Sequence, residues 1–261
     1  MRSRLLSFLV FAAGALLLYQ GVVALDYNWQ WHRIWRYFIR VRSDGWQVGP
    51  LLSGLAVTMK ISVLALLLSV VGGLVLAAMQ EARMRSLRWL ARSFIEAIRC
   101  TPQLVQLYIL YFMFSSMLGL SAFAAGVISL GVFEAVFAAE IFRSGYRACP
   151  SGQREAARSL GLGSLATARL VVFPQILPLI LPSLANLLVN LIKHSAIVTV
   201  IAVPDMTDIA RNLIADTFLV LELWLAIAVV YWVISYAGTS VIRVWEKATL
   251  ARISARSRAA A

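Results

Sequence analysis

The chain has 261 residues, of which 61% are hydrophobic and 14% charged, with a mean hydropathy of +0.81 and a formal net charge of +12. Soluble domains are closer to half apolar and carry about a quarter charged residues, so this composition excludes an ordinary soluble protein and indicates the membrane class. The positive charge lies mostly between the apolar segments, which argues against a nucleic-acid-binding surface.

Six apolar segments are long enough to predict helices that cross a membrane, since a span needs roughly 20 mostly apolar residues. The charge-free run over 100–133 is too long for one span, and the Gly-Leu-Ser sequence at 119–121 predicts a tight turn near its middle. We therefore predict an all-α, polytopic membrane protein with about six transmembrane helices, at 5–25, 51–79, 101–119, 122–142, 174–201 and 219–243.

The first predicted helix has an alternative interpretation. Arg2 and Arg4 precede an apolar run that is also compatible with a secretory signal peptide, with Ala24 at an acceptable cleavage position. The run is long for a signal peptide, so we expect an uncleaved helix.

The segment that follows, Tyr27 to Arg42, mixes Trp with Arg. Such a mixture is typical of an amphipathic helix at the level of the lipid headgroups; the alternative is an aromatic cage for a ligand. Residues 1–49 would then form an N-terminal unit, followed by a main transmembrane domain at 50–247 and a basic tail at 248–261.

The distribution of basic residues predicts the orientation. Seventeen of the 24 Lys and Arg residues lie in the segments 1–4, 80–100, 143–173 and 243–261. By the positive-inside rule these segments are cytoplasmic, which also places both termini there.

The residue sets needed for catalysis or metal binding are missing. The two histidines, His32 and His194, fall in different regions of the topology, and no HExxH, CxxC, GxSxG or phosphate-binding-loop pattern occurs. Cys100 and Cys149 have no metal-site spacing. We predict that the chain is not an enzyme and holds no metal or cofactor, so energy for uphill transport must come from a partner or an ion gradient.

Small residues recur on one face of the helix predicted at 51–79. Ala65, Ser69, Gly73 and Ala77 are four residues apart, and a face of small residues lets another helix approach closely. This pattern predicts packing and carries no information about a solute.

The helix predicted at 174–201 carries a polar stripe. Pro174, Pro178 and Pro182 are followed at the same spacing by Asn186, Asn190 and His194. The two asparagines fit a solute path or hydrogen bonds between helices. For Lys193 and His194 we favour the path, because ionisable groups within a span are costly.

A buried carboxylate is predicted in the neighbouring helix. Glu134 lies in the body of helix 122–142 and needs a partner, for which the candidates are Lys193, Lys60 or a solute ammonium group. Glu140 is expected to pair with Arg143 at i+3.

The stretch SGQREAARSLGLG, residues 151–163, predicts a short charged helix outside the membrane. Ser151 can cap its start, Glu155 lies in its first turn, and Gly161 supplies a stop. A second helix is predicted from Ser164 to the residue before Pro174. The small residues Ala156 and Ala157 offer a low face for another protein, so the unit is expected to be a docking element.

This stretch resembles the EAA loop of permease subunits of ATP-binding-cassette importers. Glu155, Ala156, Ala157 and Gly161 match its pattern, and nine residues later Val171-Val172-Phe173-Pro174 stands where Ile-x-Leu-Pro is usual. The segments IRCTPQLVQLYILYF and LIKHSAIVTVIAVPDM are similar to polar amino acid permeases, although Cys100 replaces a Gly and His194 an Asp or Asn.

The resemblance covers about residues 50–247 and implies a permease of a bacterial inner membrane, with a five-helix importer core and one added N-terminal helix. It implies that Glu155, Ala156, Ala157, Gly161 and Pro174 couple the chain to ATPase subunits, which bind the ATP. It further implies a second permease subunit, alike or different, an extracytoplasmic solute-binding protein and a polar amino acid as solute.

Two other classes compete with this interpretation. An ion-coupled secondary transporter could use Glu134 and Lys193 as a relay, but inverted repeats would be expected and it gives the charged loop no role. A membrane-embedded enzyme or redox subunit is disfavoured by the missing residue sets.

Overall fold

The computed structural model of the protein describes Gln20 and residues 27–42 and 45–259. Apart from Gln20, the helix predicted at 5–25 and the question of its cleavage therefore lie outside the described residues.

The N-terminal segment is only partly helical. A 3-10 turn at Trp31–Arg33 and a single helical turn, α1 (Trp35–Phe38), lead into an antiparallel hairpin of β1 (Ile39–Arg42) and β2 (Gly45–Val48). The amphipathic helix predicted over Tyr27 to Arg42 is thus wrong except for the short turns at Trp31–Arg33 and Trp35–Phe38. Branched residues such as Ile39 favour strands, and Gly45 adopts a φ of +114° that other residues rarely reach.

Helices make up most of the rest of the described chain. They are α2 (Pro50–Gln80), α3 (Arg85–Cys100), α4 (Gln103–Tyr108), α5 (Ser115–Leu118), α6 (Ala122–Ala148), α7 (Ser151–Ser159), α8 (Ser164–Thr167), α9 (Phe173–His194), α10 (Met206–Thr217) and α11 (Val220–Ala259). Two π turns and a 3-10 segment continue some of these helices, at Ile109–Phe114, Ala168–Val172 and Ser195–Ile201.

Within 27–42 and 45–259, four helices are long and apolar enough to cross a membrane: Pro50–Gln80, Ala122–Ala148, Ser164–Ile201 and Val220–Lys247. They correspond to four of the predicted spans. The span predicted at 101–119 is a shorter apolar helix, Gln103–Leu118. Helix α3 has no counterpart among the predictions, because its four arginines interrupt the apolar runs from which the spans were predicted.

The closest helix pair is α2 and α6. All four small residues of the predicted stripe, from Ala65 to Ala77, are buried, which confirms the packing prediction. A Cβ atom on Gly73 would lie only 2.5 Å from the Cβ of Ala138, so no larger side chain fits there without displacing α6. Helix α9 packs against α6 through buried residues such as Ile180 and Leu187.

Candidate functional site

An open polar cleft lies between α6 and α9. Asn186, Asn190 and His194 leave α9 on one face and are exposed, and Ser183 precedes them on that face. Side chains of α6 form the opposite wall, including Glu134. The cleft encloses about 490 Å³.

Glu134 and His194 meet at the end of the cleft. The Glu134 side chain is only 3% exposed, and its Oε1 atom lies 2.7 Å from Nδ1 of His194, whose side chain is 44% exposed. An ionised carboxylate can only accept hydrogen bonds, so Nδ1 is the donor of this contact whenever Glu134 is ionised. His194 therefore satisfies the buried carboxylate while facing the open space itself.

The structure gives Glu134 a different partner from the lysines considered above. Lys60 and Lys193 are exposed and lie outside the lining of the cleft. Lys193 is adjacent to His194 in sequence and so points about 100° away around the helix. Of the five residues predicted for the path, Lys193 alone does not line the cleft.

The end of the cleft nearer to the coupling loop carries a second carboxylate. Glu140 accepts from Arg99 Nη2 at 2.5 Å, whereas Arg143 Nε donates to Glu81 at 3.1 Å. The local pair predicted between Glu140 and Arg143 is therefore wrong, because α3 and the end of α2 bring each residue a nearer partner. Sequence reasoning also missed Ser183 and Phe137, although Ser183 stands at the i−3 position of Asn186.

The predicted coupling loop, residues 150–173, begins with α7. Helix α7 starts at Ser151, with Pro150 in the N-cap position and no side-chain cap. It ends at Ser159, and two residues later Gly161 turns the chain with a φ of +79° and an N–H that donates to the carbonyl of Arg158 at 2.9 Å. The stop predicted at Gly161 is therefore confirmed, and the cap predicted at Ser151 is wrong.

The outer face of the coupling loop has no partner of its own. Glu155 and Ala156 are exposed, and Leu160 and Leu165 are 82% and 83% exposed. Ala157 is buried, so it anchors α7 rather than contributing to its outer face. Two leucines beside a carboxylate are a surface that another protein can cover.

Helix α7 is tied to the end of α6. The guanidinium of Arg154 lies 4.7 Å from the centre of the Tyr146 ring, and its Nη1 donates to the Tyr146 carbonyl at 3.4 Å. Nearby, Glu81 of α2 pairs with Arg143 and Arg147, at 3.1 and 3.8 Å. These contacts connect α7 directly to the end of α6 and, through Arg143 and Arg147, indirectly to the end of α2.

The second helix of the coupling loop was predicted to end before Pro174, but in the structure it continues past this residue. The π turn at Ala168–Val172 joins α8 to α9, so that one helix runs over Ser164–Ile201. A π turn changes the hydrogen-bond ladder just where Pro174 lacks an N–H and its ring would meet the preceding turn. Pro174 then occupies the first turn of α9, where a proline is tolerated.

A buried polar cluster joins α2, α10 and α11 at the end of the molecule away from the coupling loop. Asp205 is fully buried and caps α10, with Oδ1 accepting from the N–H of Asp208 at 2.9 Å, while Oδ2 has no partner. Burial raises the pKa of Asp205 to about 6. Thr58 accepts from the N–H of Met206 in the same cluster. Among the described residues, no group of three or more His, Cys, Asp or Glu side chains could hold a metal ion.

Comparison with known proteins gives consistent matches. Residues 69–250 match the family described as "Binding-protein-dependent transport system inner membrane component". The chain is 33% identical over 201 residues to "Probable amino-acid ABC transporter permease protein YckA" of Bacillus subtilis (strain 168), covering 77% of this chain and 89% of the relative. It is 34% identical over 190 residues to "Arginine transport system permease protein ArtQ" of the same organism, covering 72% and 87%.

Solved structures show the same architecture. "Crystal structure of an amino acid ABC transporter with histidines" matches with a TM-score of 0.69 and 36% identity, over 76% of this chain and 93% of the other. A chain of the MetNI methionine ABC transporter in an inward-facing conformation matches with a TM-score of 0.61 over 75% and 95%, at 19% identity. The latter supports the fold alone.

Proposed function

Because the chain belongs to the family of inner-membrane components of binding-protein-dependent transport systems, we propose that the cleft between α6 and α9 is its path for a polar amino acid. The chain is the membrane-embedded permease subunit of an ATP-driven importer, and ATP hydrolysis belongs to a separate subunit. The ion-coupled secondary transporter is not favoured.

The contact between Glu134 and His194 carries the proposal for the path. A carboxylate that is 3% exposed needs a hydrogen-bond donor or a positive charge. His194 supplies the donor in this structure and is exposed enough to move away. The ammonium group of an amino acid can then take its place on Glu134.

The other end of an amino acid has donors available in the same cleft. The amide nitrogens of Asn186 and Asn190 can donate to a carboxylate, and the hydroxyl of Ser183 can do the same. No Lys or Arg lines the cleft, whereas Glu134 and Glu140 do. This charge balance favours a cationic or zwitterionic solute over an anionic one. Among the relatives are proteins named for arginine and for glutamine transport.

The partners follow from the exposed surfaces. The outer face of the coupling loop, with Glu155, Leu160 and Leu165, would dock on the ATPase subunit. A second permease subunit, identical or different, would close the open side of the cleft, and a solute-binding protein would deliver solute at the opposite end. The bias of Lys and Arg supports a cytoplasmic position for the coupling loop and both termini, and the family supports a bacterial inner membrane.

The experiment is solute-stimulated ATP hydrolysis and uptake by the reconstituted transporter carrying Glu134→Gln. A charge-assisted hydrogen bond contributes about 1.5–3 kcal/mol, so both activities should fall roughly 10- to 100-fold with the complex still assembled. Glu246→Gln makes the same chemical change on an exposed part of α11 and should leave both unchanged. Parent-like uptake by Glu134→Gln would remove the cleft from the path.

A further inference from the structure

The N-terminal segment is fixed to the start of α11 by a buried carboxylate. Glu222 has no exposed surface and accepts a hydrogen bond from the Tyr27 hydroxyl at 2.5 Å and from the N–H of Gln30 at 2.7 Å. Ile34 and Tyr37 are buried in the same contact. The segment is therefore a built part of the fold and not a loose tether.

An apolar groove of about 420 Å³ separates this segment from α11. Trp31, Trp35 and Phe38 form one side, and Leu225 and Val229 the other. Trp35 is 69% exposed, so the groove is open to the surroundings of the bundle. Apart from the indole N–H groups of Trp31 and Trp35, the side chains that line it form no hydrogen bonds.

The groove continues along α11 as an exposed apolar strip. After Val229, in the direction of the C-terminus of α11, the strip consists of Trp232, Val233 and Tyr236, which are all exposed. These side chains follow the direction of a membrane-spanning helix, and a hydrocarbon chain of a lipid runs in the same direction. The strip thus suits an acyl chain better than a compact solute.

The segment that forms one side of the groove is positively charged. The segment 27–42 contains four arginines and no acidic residue. Arg36 is exposed, with its guanidinium 5.4 Å from the Tyr37 ring. In the part of the chain that the structure describes, no carboxylate lies within ion-pair distance of Arg36. By the predicted orientation these arginines lie on the outer side of the membrane, where the positive-inside rule disfavours basic residues. A bound anion would offset this unfavourable charge.

We propose that the groove binds one anionic phospholipid, with an acyl chain along α11 and its phosphate at Arg36. Tryptophans and arginines in one short segment, with an apolar groove beside it, match a lipid at the headgroup boundary. An acidic protein would bind the arginines from outside the membrane. It would therefore leave the role of the apolar groove unexplained. The site goes beyond the proposed transport function and does not depend on which solute is carried.

The test measures lipids retained by the purified transporter, with all its subunits, in detergent containing equal amounts of phosphatidylglycerol and phosphatidylcholine. Native mass spectrometry should show phosphatidylglycerol preferentially bound to the parent. Ala226→Phe fills the groove and should abolish this preference, whereas Ala228→Phe, two residues away outside the groove, should preserve it. Arg36→Gln should reduce the preference roughly fivefold, the effect of one basic residue beside an anionic lipid surface. Arg85→Gln, on exposed α3, should not.

Three results would overturn the proposal. One is equal retention of the two lipids by the parent, which would also be found if a second permease subunit filled the groove. Another is an Ala226→Phe variant that assembles and keeps the parent's preference. The third concerns the Arg36→Gln variant. If its lipid retention stays unchanged while its ATP hydrolysis is no longer stimulated by the solute-binding protein in either lipid, the arginines contact that protein and not a lipid. None of these readouts requires transport, so failure of the proposed path would leave the test valid.

Discussion

The cleft and the coupling loop are both polar, but they differ in where the partners of their charged groups lie. In the cleft, Glu134 meets His194 from another helix of the same chain. In the coupling loop, Glu155 is exposed beside Leu160 and Leu165. One chain can therefore assemble the polar wall of a path, whereas the loop presents a surface that only a second protein can complete.

The largest effect that this difference predicts concerns Glu155→Lys. Reversing the charge on the outer face should disrupt docking on the ATPase, so uptake per ATP hydrolysed should fall about 100-fold, as expected for about 2.7 kcal/mol of lost interaction. Binding of solute should stay close to the parent's, because the cleft has its own contacts. Uptake and ATP hydrolysis in vesicles measure the ratio. Glu246→Lys is the matched control, and uptake at the parent rate per ATP in Glu155→Lys would contradict the role of the loop.

Asp205 sharpens the comparison, because it is a buried carboxylate without a histidine. Its pKa of about 6 lies above the ordinary 3.8, so the folded state binds a proton more readily than the unfolded chain. The resulting stability is present at low pH and is lost as the pH rises through about 6, with about 2 kcal/mol of it lost between about pH 4 and about pH 7.

Thermal denaturation of the purified protein from about pH 4 to about pH 7 measures this loss. Asp205→Asn keeps an oxygen for the N-cap but cannot titrate, so its denaturation temperature should change less over this range than the parent's. Identical pH profiles of the two proteins would show that Asp205 does not titrate there.

The pair in the cleft makes a smaller, cooperative prediction. If Glu134 and His194 act as one unit, the losses of solute-stimulated ATP hydrolysis in Glu134→Gln and His194→Gln should not add in the double variant. The expected coupling is about 1–2 kcal/mol, within the range for contacting residues. A double-mutant cycle measures it directly. Strict additivity would mean that the two side chains contribute separately, despite their 2.7 Å contact.

The smallest expected effect is that of the turn in the coupling loop. Gly161→Ala places a Cβ on a residue with a φ of +79° and should cost about 1 kcal/mol. Gly163→Ala is the matched control, since Gly163 has a φ of −65° and both sites have open space around them. Denaturation temperature and uptake per ATP should both decrease for Gly161→Ala alone. Equal behaviour of the two variants would show that the left-handed turn is not important for the loop.

Helix periodicity made several features predictable. The stripe from Ala65 to Ala77 identified the face of α2 that meets α6, and the spacing from Asn186 to His194 identified the wall of the cleft. Both patterns lie within one helix, where residues four apart share a face. The motif around Glu155 similarly predicted the position of α7 and the turn at Gly161 that follows it.

Contacts between distant segments were not predictable in this way. Glu134 and His194 are 60 residues apart, and the spacing within α9 does not indicate which residue of α6 lies opposite His194. Pairing of Glu140 with Arg99 depends on where α3 lies, and α3 was missed because its apolar residues share a helix with five basic or acidic side chains. The hairpin after α1 was missed because its aromatic and basic residues also fit an amphipathic helix.

The prolines of α9 give this helix an uneven stiffness. The carbonyls of Pro174 and Pro178 have no amide donor one turn later, because the residues there are Pro178 and Pro182. Beyond Pro182 the ladder is uninterrupted by proline up to His194. If the coupling loop moves, we expect bending to concentrate in the half of α9 nearest the loop. The half carrying Asn186, Asn190 and His194 would then move as a rigid unit. A small displacement at one end of α9 would therefore produce a larger change in the width of the cleft at the other.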